Sequence, residues 1–223
     1  MASLNQPGAD GTIAPGAPAL RKTAWIGIAA TIWFWLCLAI FAAVRPEFSH
    51  FTKSVSELGI SGADNALLWN ILGFGVTGLL LAWFGWLFGR LVTPDKSWIA
   101  VWLAISGLAF TATGVFPADM SNWWAPTTVT HIAMSLLVQV AWFIGIYPLY
   151  GLRRTRWDGM IRLTTWMIVV LLLVFMLRWV PGLLPGFTQR LAFVVYFAWY
   201  LLASILLLRM ARGGGEAAAG DGS

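Results

Sequence analysis

RPEFSHFTKSVSELGISGADNALLWN, residues 45–70, is the one long stretch in which polar side chains crowd together between apolar runs of membrane length, and that contrast decides the fold. Read as a helix with Ser49 as N-cap and Gly59 at its end, it puts His50, Lys53, Ser54 and Glu57 on one face. Phe51, Val55 and Leu58 take the other face. The expectation is a short amphipathic helix over residues 50–58, lying at a membrane surface with its polar face toward a space enclosed by the protein.

Six apolar runs surround this stretch, at about 24–44, 66–89, 97–116, 127–150, 160–180 and 187–210. Each approaches the roughly 20 residues that a helix needs to cross a bilayer. Of the 223 residues, 59% are hydrophobic and 10% charged, against about a quarter charged in soluble domains. A soluble fold of this length has no polar surface to draw on, whereas a helical bundle in lipid needs none over its middle. The predicted class is all-α: a polytopic membrane bundle of six transmembrane helices plus a short amphipathic helix between the first and second spans. Residues 1–20 and 213–223 read as disordered tails around a membrane domain at 21–212. The first run is too long for a signal-peptide core and lacks a convincing cleavage site, so it reads as an uncleaved anchor. Cys37 is the sole cysteine and excludes an intramolecular disulfide.

Prolines punctuate the runs. Thr93, Pro94 and Asp95 predict the start of the third span and Pro126 that of the fourth. Pro117 ends the third span, and Pro181 with Pro185 breaks the chain before the sixth. Trp25, Trp69, Trp98, Trp123, Trp124 and Trp179 fall near span ends, where an amphipathic ring prefers the interface. Of the 14 Lys and Arg residues, Arg45, Lys53, Arg178 and Arg190 lie on one side of the predicted membrane and the remaining ten on the side of the tails. The positive-inside rule therefore predicts a plasma-membrane protein with both termini cytoplasmic. The net charge of +5 is a topology signal, and nucleic acid is excluded as a partner in favour of membrane lipid.

Both histidines then fall on the outer side, with Glu47, Glu57, Asp64 and Asp119. In the fourth span Thr127, His131, Ser135 and Gln139 follow one another at i, i+4 and predict a polar line facing the bundle. His131 reads either as an intramembrane functional group or as hydrogen-bonding glue between helices. Asp119 either orients or shares a metal with His131, or caps the turn after Pro117. His50, Ser54 and Glu57, with His131 and Asp119, make a candidate set for catalysis or for a divalent metal as cofactor. No HExxH, HxxxH or paired-cysteine spacing accompanies it, and a serine nucleophile, Ser54 or Ser56, lacks the GxSxG pattern. Arg178 and Arg190 sit at the depth of lipid phosphates, as anion ligands or as snorkelling anchors. Asn70 joins the polar outer layer, and Gly85 with Gly89 forms a GxxxG suited to internal packing.

SHFTKSVSELG before the second span, ADNALLWNILGF entering it, GVFPAD followed by an embedded histidine, and TQR opening the last span together resemble an uncharacterised prokaryotic membrane family, domain of unknown function nine-nine-eight (DUF998). The likeness covers about residues 25–210. It implies a six-span bundle and a polar outer site matched here by Ser56, Glu57, Gly59, Pro117, Asp119 and His131, and it implies no reaction. The plan is also similar to that of membrane hydrolases of the ceramidase and progestin-receptor group, which hold zinc with histidines. The last span, FTQRLAFVVYFAWYLLASILLLRM, has no histidine. The function expected is binding of a lipid headgroup or small amphiphile in an outward-facing polar pocket, and the alternative is a membrane-embedded, metal-dependent lipid hydrolase or transferase.

Overall fold

The computed structural model describes residues 16–151, 158–177 and 185–220. The N-terminal tail up to residue 15, the basic residues Arg153, Arg154 and Arg156, and Arg178, Trp179 and Pro181 lie outside the described residues. Six long helices follow in order: α1 Ala17–Ala43, α2 Ala66–Val92, α3 Ser97–Val115, α4 Pro126–Ile146, α5 Asp158–Leu177 and α6 Pro185–Gly220. Among the described residues there is no strand, as expected where a lipid environment requires backbone groups to be paired within each segment. Five helices are long and apolar enough to cross a membrane: Ala17–Ala43, Ala66–Val92, Ser97–Val115, Pro126–Leu149 and Gly186–Arg212. The count among the described residues is thus five rather than the six expected. α5, 20 residues long, packs against α6.

Two local expectations are corrected. The helix predicted over residues 50–58 is a four-residue 3-10 helix, Val55–Leu58. Ser49 does accept bonds from the Phe51 and Thr52 amides, but that turn does not propagate, because Ser54 has extended backbone (φ −72°, ψ 155°). Glu57 Oε1 then takes the Ser54 amide at 2.8 Å and caps a new, shorter helix. Val55 and Leu58 are buried, while Phe51 is exposed and stacks on Phe187. Pro94 and Asp95 start no helix. Thr93 closes α2 by donating to the Gly89 carbonyl at 3.0 Å, the Lys96 amide bonds back to Thr93, and α3 begins at Ser97.

Glycine sets how closely α2 and α3 approach. A Cβ on Gly107 would lie 2.2 Å from the Ala82 backbone nitrogen, and one on Gly78 would lie 2.4 Å from that of Thr111. Gly85 and Gly89 meet Leu103 and Ala100 of α3 in the same way, so the GxxxG is used inside the bundle. In lipid, where burial of apolar surface gives little driving force between helices, this backbone proximity and the dispersion it permits hold the pair together.

α6 runs through the middle of the bundle. Tyr196, Phe197, Trp199 and Tyr200 are fully buried, with Phe197 stacked on Phe34 of α1 at 4.3 Å. Trp142 of α4 and Phe84 and Phe88 of α2 meet Trp199 edge-on. Trp25, Trp98, Trp123 and Trp124 are exposed, whereas Trp69 is buried against Phe34, Phe41 and Phe74 rather than placed at an interface.

α2 is not α-helical throughout. Asn70–Val76 is a π-helix, which frees carbonyls from the usual ladder. Side chains from neighbouring helices take two of them: Trp33 Nε1 donates to Leu72 O at 2.8 Å, and Thr111 Oγ1 to Gly75 O at 3.3 Å.

Candidate functional site

Residues 44–65, between α1 and α2, form a folded plug over one end of the bundle. Its backbone is tied to elements far away in sequence. Val55 N donates to Gln189 Oε1 at 2.6 Å, Phe187 N to Phe51 O at 3.0 Å, and Ser61 N to Ala118 O at 3.3 Å. Arg45 Nη1 donates to Glu57 O, and Asn70 Nδ2 to Gly59 O at 2.9 Å. Arg190, one turn into α6, donates through Nη1 to the carbonyls of Lys53 and Gly186 and through Nε to His50 Nδ1 at 3.3 Å, and it lies over the Phe48 ring. Its Nη2 is buried and finds no acceptor among the described residues. These bonds account for backbone polar groups that a loop at a membrane end would otherwise leave unpaired.

His131, in the second turn of α4, is buried on the stripe Thr128, His131, Val138, Trp142. The polar line expected with it is only partly inward: Ser135 and Gln139 are half-buried, and Thr127 is exposed while its neighbour Thr128 is buried. His131 Nδ1 lies 2.9 Å from Thr113 O and 3.0 Å from Phe116 O, and Nε2 lies 3.0 Å from Ser56 Oγ. Those carbonyls belong to the end of α3, where no further turn exists to take them and Pro117 stops the chain from supplying one. Both are acceptors, so Nδ1 carries the ring hydrogen of the neutral imidazole and Nε2 accepts the Ser56 hydroxyl.

The remaining predicted residues are engaged elsewhere. Asp119 holds the Ser121 amide at 2.9 Å and its hydroxyl at 2.6 Å, closing a local turn, and these two bonds keep its carboxyl below the usual carboxylate range. Its own amide donates to Thr128 Oγ1 at 2.8 Å, fixing the turn after Pro117 to α4. Glu57 combines the Ser54 cap with an ion pair to Lys53 at 3.1 Å. Ser54 is the N-cap, and Ser56 is the serine that reaches His131. Among the described residues no three of His, Cys, Asp and Glu come together in a metal-holding group.

His50 is exposed beside Arg190. Partial burial and, second to it, repulsion from that guanidinium lower its pKa below the ordinary 6.5. The folded plug thus favours neutral imidazole. Its contribution to stability is complete above about pH 6.5 and is lost as pH falls toward the depressed folded value. Thermal unfolding in detergent is expected to show a melting temperature that falls between pH 7.5 and 5, with a smaller fall in His50→Gln; identical pH slopes would remove His50 as the cause.

Two concavities border this end. A cleft of about 60 Å³ is lined by Arg45, Glu47, Phe48, Lys53, Glu57 and Ile60. A larger groove of about 390 Å³ lies between α2 and α3, lined by Asn70, Gly75, Val76, Leu79, Thr111 and Gly114 among others. Asn70 and Thr111 are its polar members; Leu67, Ile71, Leu79 and Val115 expose apolar surface along it.

Several partners escape a sequence reading. The Thr113 and Phe116 carbonyls are backbone groups, and only the helix-ending Pro117 hints at them. Gln189 is an ordinary polar residue until the fold brings it across the membrane end to Val55, and Arg45 carries no motif of its own.

The residues that carry the sequence pattern thus meet at one place. Ser56, Glu57 and Gly59 lie in the plug, the turn after Pro117 and His131 beneath it, and Gln189 and Arg190 beside it. No curated protein and no solved structure matches the chain. The family model described as protein of unknown function, DUF998, matches residues 28–206, and the chain belongs to that family.

Proposed function

We propose that this is a six-span protein of the plasma membrane with cytoplasmic termini, α5 supplying the remaining span, and that its outward polar end binds a membrane amphiphile. The chain of the amphiphile lies in the groove along α2 and α3, and its head lies against the plug. The observation that carries this reading is the groove itself, about 390 Å³, mostly apolar and with Asn70, which is bonded to the plug, among its lining residues. The π-helix contributes by leaving Gly75 where a side chain would otherwise fill the space; a Cβ there meets nothing nearer than Asn70 O at 3.4 Å. The excess of Lys and Arg on the side of the tails supports the orientation. In this reading Arg190 and His50 fasten the plug, and the metal chemistry expected from the sequence has no ligand cluster to support it among the described residues.

A long-chain fatty ester carrying a diazirine in its tail, reconstituted with the full chain in liposomes, is expected to label residues 67–79 and 111–115. Excess unlabelled long-chain ester should suppress that labelling. Gly75→Leu should weaken the site about 15-fold, the ~1.6 kcal/mol of two displaced methylenes at ~0.8 kcal/mol each. Labelling that does not saturate, or that Gly75→Leu leaves unchanged, refutes the site.

A further inference from the structure

Ser56 and His131 meet as a hydroxyl and a base in the right tautomer. Two carbonyls, Thr113 O at 2.9 Å and Phe116 O at 3.0 Å, fix the hydrogen on Nδ1, which leaves the Nε2 lone pair facing Ser56 Oγ at 3.0 Å. In serine hydrolases a carboxylate does this orienting work. Here the carbonyls at the end of α3 do it, and they carry the negative end of that helix's dipole. The same partners that set the tautomer therefore also stabilise the imidazolium that forms when Nε2 takes a proton.

Ser56 is also held and reachable. It stands on the 3-10 helix between Val55 and Leu58, both buried, while Ser56 itself is only half-buried. Gly114 and Val115, which line the groove, lie in sequence between the two residues whose carbonyls hold His131.

We propose that Ser56 is the nucleophile and His131 the general base for acyl transfer from a carboxylic ester of a membrane amphiphile; this rests on the amphiphile-binding reading above. Ser56 Oγ bonds to the ester carbonyl carbon as its proton passes to His131 Nε2. The tetrahedral adduct collapses, the bond from that carbon to the leaving alcohol's oxygen breaks, and the departing oxygen takes the proton back from His131. Water, or a second alcohol, then attacks the acyl-Ser56 carbonyl, giving its proton to Nε2. When the carbon–Oγ bond breaks, Oγ recovers the proton. The net change is ester and water to acid and alcohol, or ester exchange with the second alcohol.

The test is an alkyl fluorophosphonate on the full-length protein in liposomes, read by peptide mass spectrometry. The expected result is one phosphonyl group per chain, on Ser56, abolished in Ser56→Ala and slowed about 100-fold or more in His131→Gln. The wild-type labelling rate should rise with pH as a single titration that His131→Gln removes, which a purely structural histidine would not produce. Wild-type protein that resists the reagent while its groove still labels saturably with the diazirine ester overturns the nucleophile and leaves the binding reading intact. Phosphonylation of Ser56 without saturable groove labelling does the reverse. Equal modification of Ser56→Ala and wild type also overturns the proposal.

Discussion

Gly107→Leu is expected to unfold the bundle. The first atom added would sit 2.2 Å from the Ala82 backbone nitrogen and 2.7 Å from the Gly78 carbonyl oxygen, and backbone cannot swing aside as a side chain can. α2 and α3 would have to separate along their whole contact, giving up the Gly78, Gly85 and Gly89 approaches together. Overpacking usually costs 1–3 kcal/mol, and here the loss of the neighbouring contacts adds to it, so about 3 kcal/mol or more is expected. The protein should lose its monodisperse peak in detergent, or melt far below wild type. Gly159→Ala is the control: its Cβ would meet only Leu206, at 3.5 Å and beyond, and the change should stay within about 1 kcal/mol. Equal melting of Gly107→Leu and wild type would show that the two helices do not touch as described.

Arg190→Met should release the plug while leaving the spans in place. Methionine keeps much of the stem's volume but removes the guanidinium, with its place over the Phe48 ring and its donors to Lys53 O, Gly186 O and His50. A hydrogen bond from a charged donor contributes about 1.5–3 kcal/mol where it is shielded from water; this guanidinium is partly exposed, so roughly 2 kcal/mol for the group is the expected loss. The readout is local. Amide exchange across residues 50–58 and proteolysis after Lys53 should rise at least tenfold, with exchange in α2 and α3 unchanged. Protection of residues 50–58 equal to wild type would mean that Gln189 and Phe187 hold the plug without Arg190.

Apolar run length is enough to place the helices α2 to α5 within a few residues, because a segment in lipid has few alternatives to a helix, whereas α1 starts at Ala17, ahead of its run at about 24–44, and α6 continues to Gly220, past its run at about 187–210. Prolines placed the ends where ring geometry acts alone, as at Pro117 and Pro126, and misplaced the start of α3, where Pro94 merely continues a turn. The plug is the least legible in the sequence. Its hydrophobic spacing fits an amphipathic helix, yet Gln189, Arg190 and Phe187 compete for the backbone of residues 51–55, and such tertiary partners override local periodicity. At the site, His131 stood out as an ionisable group in a span. Its partners did not: two are carbonyls, and the choice between Ser54 and Ser56 depends on a 3-10 turn only four residues long. The π-helix has no pattern in NILGFGV that distinguishes it from α, since Trp33 and Thr111 stabilise it from other helices.

The fastening of the plug also sets an order of assembly. Residues 44–65 leave the ribosome soon after the first span, but the groups that secure them, Phe187, Gln189 and Arg190, open the last one. Domains synthesised from the N-terminus fold as their partners emerge. Throughout synthesis of α2 to α5, then, the Val55 amide and the Phe51 and Lys53 carbonyls have only water to satisfy them. The end of the bundle that carries Ser56 and His131 closes only when the sixth helix is in place, so any chain that stops short of residue 185 carries the dyad without the frame that holds it.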